Sequence, residues 1–318
     1  MGLLSSIFGN GNKSENEIKA KTEDKNFDIL KYDGIRAKNI KQLPYAIKCF
    51  EEALAIKEDT ETMILLASSY LQTGNIEEAR NTYTKIMNKE PENIEIMLST
   101  AGICFMQEDY QTMNEICQKA IKTDANNKSA FYLAAKAEKG LMNYIQAIVM
   151  LTKANNIDED FKEAYLLRAE VLWNMRQAKE ALEDLNTLLS KEEDNEDAMV
   201  LKGEIMAVTG NTDEANNCMD KVISLNPFNE KAYIIKATVL LEAKEFEKAI
   251  ELYNEAIELI PDNAKLYQER GRVKLLKGDK DGSIEDLKKA IELNPESENK
   301  ISGNYDNFSQ ENKTEIFF

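Results

Sequence analysis

The sequence predicts an all-α fold, an α-solenoid of about eight helix-turn-helix units. Three observations carry this. Four of the five prolines lie on one lattice: Pro295 − Pro261 = 34, Pro261 − Pro227 = 34, and Pro227 − Pro91 = 136, which is four times 34. The text around them repeats as well, with Ala256-Ile257-Glu258-Leu259 returning as Ala290-Ile291-Glu292-Leu293. A fixed period of this size marks a repeat architecture. The composition agrees: Ala, Leu, Glu, Lys, Ile and Asn dominate and there are only 13 Gly in 318 residues, which favours helix over turns and strands.

The lattice phases each unit. With proline at position 32, units begin at Thr60, Ile94, Lys128, Lys162, Glu196, Glu230 and Ala264, and an eighth begins at Phe27, one residue out of step. Position 8 is always small: Gly34, Ala67, Ala101, Ala135, Ala169, Gly203, Ala237 and Gly271. Position 20 is Ala46, Ala79, Met113, Ala147, Ala181, Ala215, Ala249 and Ser283, with Met113 the one large residue. Bulky residues alternate with these, as at position 4 (Leu30, Met63, Met97, Phe131, Tyr165, Met199, Tyr233, Tyr267). Positions 4, 8 and 11 share one helical face, and so do 20, 24 and 27. Small residues let two helices approach while large ones fill the space beside them. Gly74, Gly210 and Gly278 fall at position 15, where the first helix of a pair ends. Pro44 stands just before Ala46, at the expected start of a second helix, where proline is tolerated.

This pattern resembles the tetratricopeptide repeat family over about residues 27–297. The resemblance implies stacked antiparallel helix pairs in a right-handed superhelix, with the first helix of each pair on the concave side. Departures are local: Glu138 and Lys274 replace an apolar residue at position 11, and Met113 suggests less regular packing in the third unit. In the last unit, Gln268, Glu269, Arg272, Lys274 and Lys277 read as a polar outer surface. Residues 1–26 and 298–318, rich in Asn, Lys, Ser and Glu, read as disordered flanks around the 27–297 array.

Little in the chain points to chemistry. It contains no histidine, the commonest general base and metal ligand. The segment Gly278–Ser283 imitates part of a calcium loop, but Lys277 stands at the first ligand position and Lys288 at the closing acidic one. Cys49, Cys104, Cys117 and Cys218 are scattered. Cys104 and Cys117, at core positions, read as small buried hydrophobes rather than a redox pair. No cofactor or metal and no enzyme activity is expected. The net charge, 40 − 57 = −17, disfavours nucleic acid and anionic lipid as partners. With no long apolar run and no secretory leader pattern, a cytoplasmic, monomeric protein is expected.

The expected function is that of a non-catalytic scaffold or adaptor holding a protein or peptide segment. The family's carboxylate clamp is not reproduced: Lys31 stands at position 5, but Ile35, Leu65, Ser99 and Glu95 occupy the other clamp positions. If the family geometry holds, the groove is lined instead by Phe105, Tyr132, Lys136, Leu166, Glu170, Trp173, Leu201, Glu204, Ile234 and Leu241. Phe105 and Trp173, at position 12, are expected to point into it as anchors.

The alternative is a membrane-associated assembly or secretion factor recruited through its N-terminus. Residues 1–9, MGLLSSIFG, place Gly2 and Ser6 in a myristoylation-like pattern, and Leu3, Leu4, Ile7 and Phe8 on one helical side. No polybasic stretch follows, so membrane contact is not the expected outcome. The final Ile316, Phe317 and Phe318 suggest either a linear motif or a cap on the last unit.

Overall fold

The computed structural model describes residues 11–295, with side chains from Lys19 onward. The expectations placed on residues 1–9 and on Ile316–Phe318 lie outside the described residues. The described chain forms sixteen α-helices, paired as the period requires, in two compact units that divide after Asp158.

The first unit holds α1 (Gly11–Asn39) with α2 (Leu43–Ile56), α3 (Thr60–Gln72) with α4 (Ile76–Lys89), α5 (Ile94–Met106) with α6 (Tyr110–Thr123), and α7 (Lys128–Gly140) with α8 (Tyr144–Ile157). The second holds α9 (Lys162–Asn174) with α10 (Ala178–Lys191), α11 (Glu196–Val208) with α12 (Thr212–Leu225), α13 (Glu230–Glu242) with α14 (Phe246–Leu259), and α15 (Ala264–Lys277) with α16 (Lys280–Leu293). Seven first helices begin on the residue that the proline lattice assigns to position 1. Within each unit every helix packs on its pair mate and on the next helix.

Local chemistry sets these boundaries. Asp59, Asn93, Asn127, Asn195, Asn229 and Asn263 each cap a first helix, their side-chain oxygens accepting the backbone N–H three residues on. Phe161 holds the same place before α9 and provides no side-chain cap. Each first helix ends at a position-15 residue in the left-handed region: Gly74, Gly210 and Gly278, but also Lys41, Glu108, Met142, Arg176 and Lys244. Pro44 lies in the first turn of α2, where its missing N–H costs nothing.

The small residues at positions 8 and 20 are buried throughout, which lets the pair mates close on each other. Met113 is fully buried as well, packed with Met97, Ala101, Cys104 and Cys117. The third unit is therefore as regular as its neighbours, with a methionine filling the gap that a flexible thioether suits. Both cysteines are free thiols in this core, and burial pushes Cys117 up to about 12.

Two further expectations change. Residues 11–26, read as disordered, continue α1 as one helix. Phe27, midway along α1, is buried, and Lys57 at the end of α2 pairs with Asp24 and lies over the Phe27 ring. Of the polar residues of α15, Lys277 is exposed, but Glu269, Arg272 and Lys274 are drawn into contacts rather than forming an outer surface. Glu269 is buried and pairs with Lys265 at 2.9 Å and Arg272 at 3.2 Å. Lys274 reaches the buried Asp286 at 2.9 Å. Position 11 thus takes a charge where the neighbouring helix brings an opposite one. Glu138, also at position 11, instead accepts from neutral amides, Asn114 Nδ2 at 2.8 Å and Asn143 Nδ2 at 2.9 Å.

Candidate functional site

The groove residues read from the sequence divide between the units. Phe105, Tyr132 and Lys136 belong to the first; Leu166, Glu170, Trp173, Leu201, Glu204, Ile234 and Leu241 belong to the second.

In the first unit, α5 shows a sharp division. Ile96, Met97, Thr100, Ala101, Ile103 and Cys104 are buried, while Glu95, Phe105 and Met106 are exposed and Leu98, Ser99 and Gly102 half-buried. Period 3.6 puts the second group on one side of the helix. Phe105 is 37% and Met106 56% exposed, large for apolar side chains on a first helix. Lys136, from α7, holds its ammonium 3.8 Å from the Phe105 ring centre and 5.9 Å from that of Tyr132. This is cation–π geometry. Tyr110, at the start of α6, lies edge-tilted to Phe105 with ring centres 6.1 Å apart. Its ring also rests on Gly140, where a Cβ would come within 2.5 Å. Gly140 is therefore fixed by packing. Phe105, Tyr110, Tyr132 and Lys136 form one aromatic and cationic patch on the face of the first helices.

The second unit is more closed. Leu166, Glu170, Leu201, Glu204, Ile234 and Leu241 are half-buried. Trp173, expected to project as an anchor, is only 9% exposed. Its indole N–H donates to Glu204 Oε1 at 2.8 Å, and the Arg176 guanidinium lies 5.5 Å from its ring centre. The indole is long enough to reach from position 12 of one first helix to position 9 of the next, so it joins α9 to α11. Burial pushes the Glu204 carboxyl above the usual carboxylate range, against the opposing pull of the Trp173 N–H and of Lys231 and Arg176.

A set of polar contacts escaped the sequence reading. Arg168 grips Asp184 with two bonds, Nε at 2.7 Å and Nη2 at 2.6 Å. Arg270 does the same with Asp286, at 2.9 and 2.6 Å, and also donates to Asn254 at 2.7 Å. Lys202 donates to Asn186 at 2.8 Å and Lys236 to Asp220 at 2.5 Å. The signal was present: cations recur at position 7 of four successive units, each sixteen residues from its acceptor. These contacts lock first helices to second helices. At the other end of the chain, Lys31 is held by Asp59 at 3.0 Å and Glu61 at 2.5 Å, so the one clamp-like lysine has local partners.

Among the described residues no group of three or more Cys, Asp or Glu is arranged to hold a metal ion. None of their helices is long and apolar enough to cross a membrane.

Comparison with known proteins supports this architecture. The family description "Tetratricopeptide repeat" matches residues 61–93 and again 264–297, and "Psidin, N-terminal TPR repeats region" matches residues 171–270. The chain belongs to the tetratricopeptide repeat family. A tetratricopeptide repeat protein from Parabacteroides merdae is similar in structure, with a TM-score of 0.62, 20% identity, and coverage of 76% of this chain and 96% of that one. Pseudomonas aeruginosa PilF aligns with a TM-score of 0.54 at 16% identity, covering 68% of this chain and 99% of its own. Yeast Tom70 aligns at 0.51 and 15% identity, covering 86% and 77%. At these identities the likeness is one of tetratricopeptide fold. No curated protein matches the sequence.

Proposed function

We propose that this tetratricopeptide repeat protein is a non-catalytic scaffold that holds a segment of another protein along the exposed face of its first helices. The observation that carries the reading is the patch on α5 and α7. Phe105 and Met106 stay exposed although the rest of α5 packs well, and Lys136 and Tyr132 stand beside them. Contiguous apolar surface of this kind marks an interaction site, and aromatic side chains are its usual anchors. In the second unit, taken by itself, the first helices present the half-buried Leu166, Leu201, Ile234 and Leu241 together with Glu170 and Glu204. Trp173 supports that face from beneath.

The reading is tested by placing a photo-crosslinking amino acid at position 105 and, separately, at the exposed position 145 on α8. A partner captured from 105 and absent from 145 supports it. Equal capture from both, or none from 105, rejects it.

A further inference from the structure

A glycine inside a helix costs stability, because it has the most backbone freedom to lose. Five helical glycines here have a visible reason; at Gly282 a Cβ would lie 2.4 Å from the capping Asp279 carboxylate, and the other four pack against residues more distant in the chain. A Cβ would come within 2.5 Å of the Phe50 ring at Gly34, 2.5 Å of the Tyr110 ring at Gly140, 2.4 Å of the Met219 methyl at Gly203, and 3.2 Å of the Ser283 carbonyl at Gly271. Gly102 has no such reason. A Cβ there would meet nothing within 4 Å, and the residue does not lie in the left-handed region.

Its position is central on the exposed side of α5. Leu98 and Ser99 lie one turn before it; Phe105 and Met106 lie one turn after. Lys136 brings its ammonium over Phe105 from the next first helix. The result is a seat with a bare backbone floor at Gly102, with Phe105 and Met106 one turn along the helix and the Lys136 ammonium over the Phe105 ring.

Resting on the reading that this face binds a partner segment, we infer that the seat over Gly102 takes an aromatic side chain of that segment. Three features select a ring. A flat ring lies directly on glycine backbone, as the chain's own Tyr110 does on Gly140. The Lys136 ammonium is attracted to the face of a ring and repels a cationic side chain. The Met106 thioether favours contact with a ring edge. An aliphatic side chain gains only the apolar part of this.

The test uses a random heptapeptide display library, panned on the full chain and on Gly102→Leu. The new side chain points into open space, and Gly102→Ala provides a smaller change whose melting midpoint is expected to rise by roughly 2 °C. Peptides recovered on the wild-type chain should share a Phe, Tyr or Trp. As synthetic peptides they should bind Gly102→Leu at least tenfold more weakly and Lys136→Met several-fold more weakly, with Ile145→Ala unchanged. Recovery of peptides without a shared aromatic residue, or equal affinity for wild type and Gly102→Leu, overturns the inference. If crosslinking from position 105 still succeeds in that event, the binding face stands and the aromatic seat alone falls; if it fails too, both fall.

Discussion

Glu204 shows how much a single residue determines here. Its carboxylate accepts the only indole N–H in the chain and is itself held above the ordinary range by burial. The sign of the consequence follows from linkage. The folded state keeps the Glu204 proton to higher pH than the unfolded state does. Stability therefore falls as pH rises from the ordinary glutamate value of about 4.3 through the raised folded value. Above that window the wild type carries a constant cost of holding a desolvated charge. Glu204→Gln keeps an acceptor for the indole and carries no charge. It should be more stable than wild type at pH 7 and equal to it below pH 4, as read by urea unfolding at the two pH values. Because Trp173 is the sole tryptophan, its emission should titrate with a midpoint above 4.5 in the wild type and stay flat in Glu204→Gln. A flat wild-type profile would contradict the assignment. The buried indole also marks a limit of sequence reading: phase gives the side from which a side chain leaves its helix, but not how far a long one reaches or what it finds there.

At the level of helices and turns, the sequence was legible where one rule acts at every repeat. The lattice placed the starts of seven first helices on the right residue, because the small packing residues recur with the same period and a capping Asn or Asp stands before six of the seven. The turn between pair mates was legible only at Gly74, Gly210 and Gly278. The repeat geometry imposes the same left-handed conformation on Lys41, Glu108, Met142, Arg176 and Lys244, where no residue type announces it. That conformation costs a side-chain-bearing residue about 1 kcal/mol or more. Met142, 71% exposed, has little packing to lose. Met142→Gly should stabilise the fold by about 0.5–1 kcal/mol, after allowing for the extra freedom of glycine in the unfolded chain; a lowered urea midpoint would refute this. The clasp between α15 and α16 was also illegible, since each partner alone reads as a surface charge. Asp286 receives Arg270 twice and Lys274 once, and only 5% of its side chain is exposed. Asp286→Ala leaves two cations without that anion in a largely buried place and should cost about 3 kcal/mol. Asp220, which meets Lys236 but is 57% exposed, should cost less than about 1 kcal/mol on the same change. Equal losses in the two variants would show that burial is not what distinguishes them.

Across the whole chain the governing quantity is charge. Fifty-seven carboxylates face forty cations, for a net −17. Many of the cations are already drawn into local pairs, such as Lys57 with Asp24, Arg80 with Asp109 and Lys191 with Asp160. Two effects of salt then compete. Screening weakens exposed pairs, each worth roughly 0–1 kcal/mol at most. It also weakens the repulsion among the excess carboxylates, which acts over the whole folded surface and is strongest at low ionic strength. Raising salt from 0.01 M to 0.15 M shortens the screening length from about 30 Å to about 8 Å. Contacts at 2.5–3.1 Å such as these pairs lie well inside either length, whereas repulsion between like charges more than about 8 Å apart is screened only at the higher salt. Repulsion is therefore screened more than attraction. The melting midpoint should rise by a few degrees over this range of sodium chloride. The Asp286 clasp is shielded by burial, so the difference between wild type and Asp286→Ala should be almost the same at both salt concentrations. A midpoint that fell with salt would mean that the surface pairs outweigh the net charge.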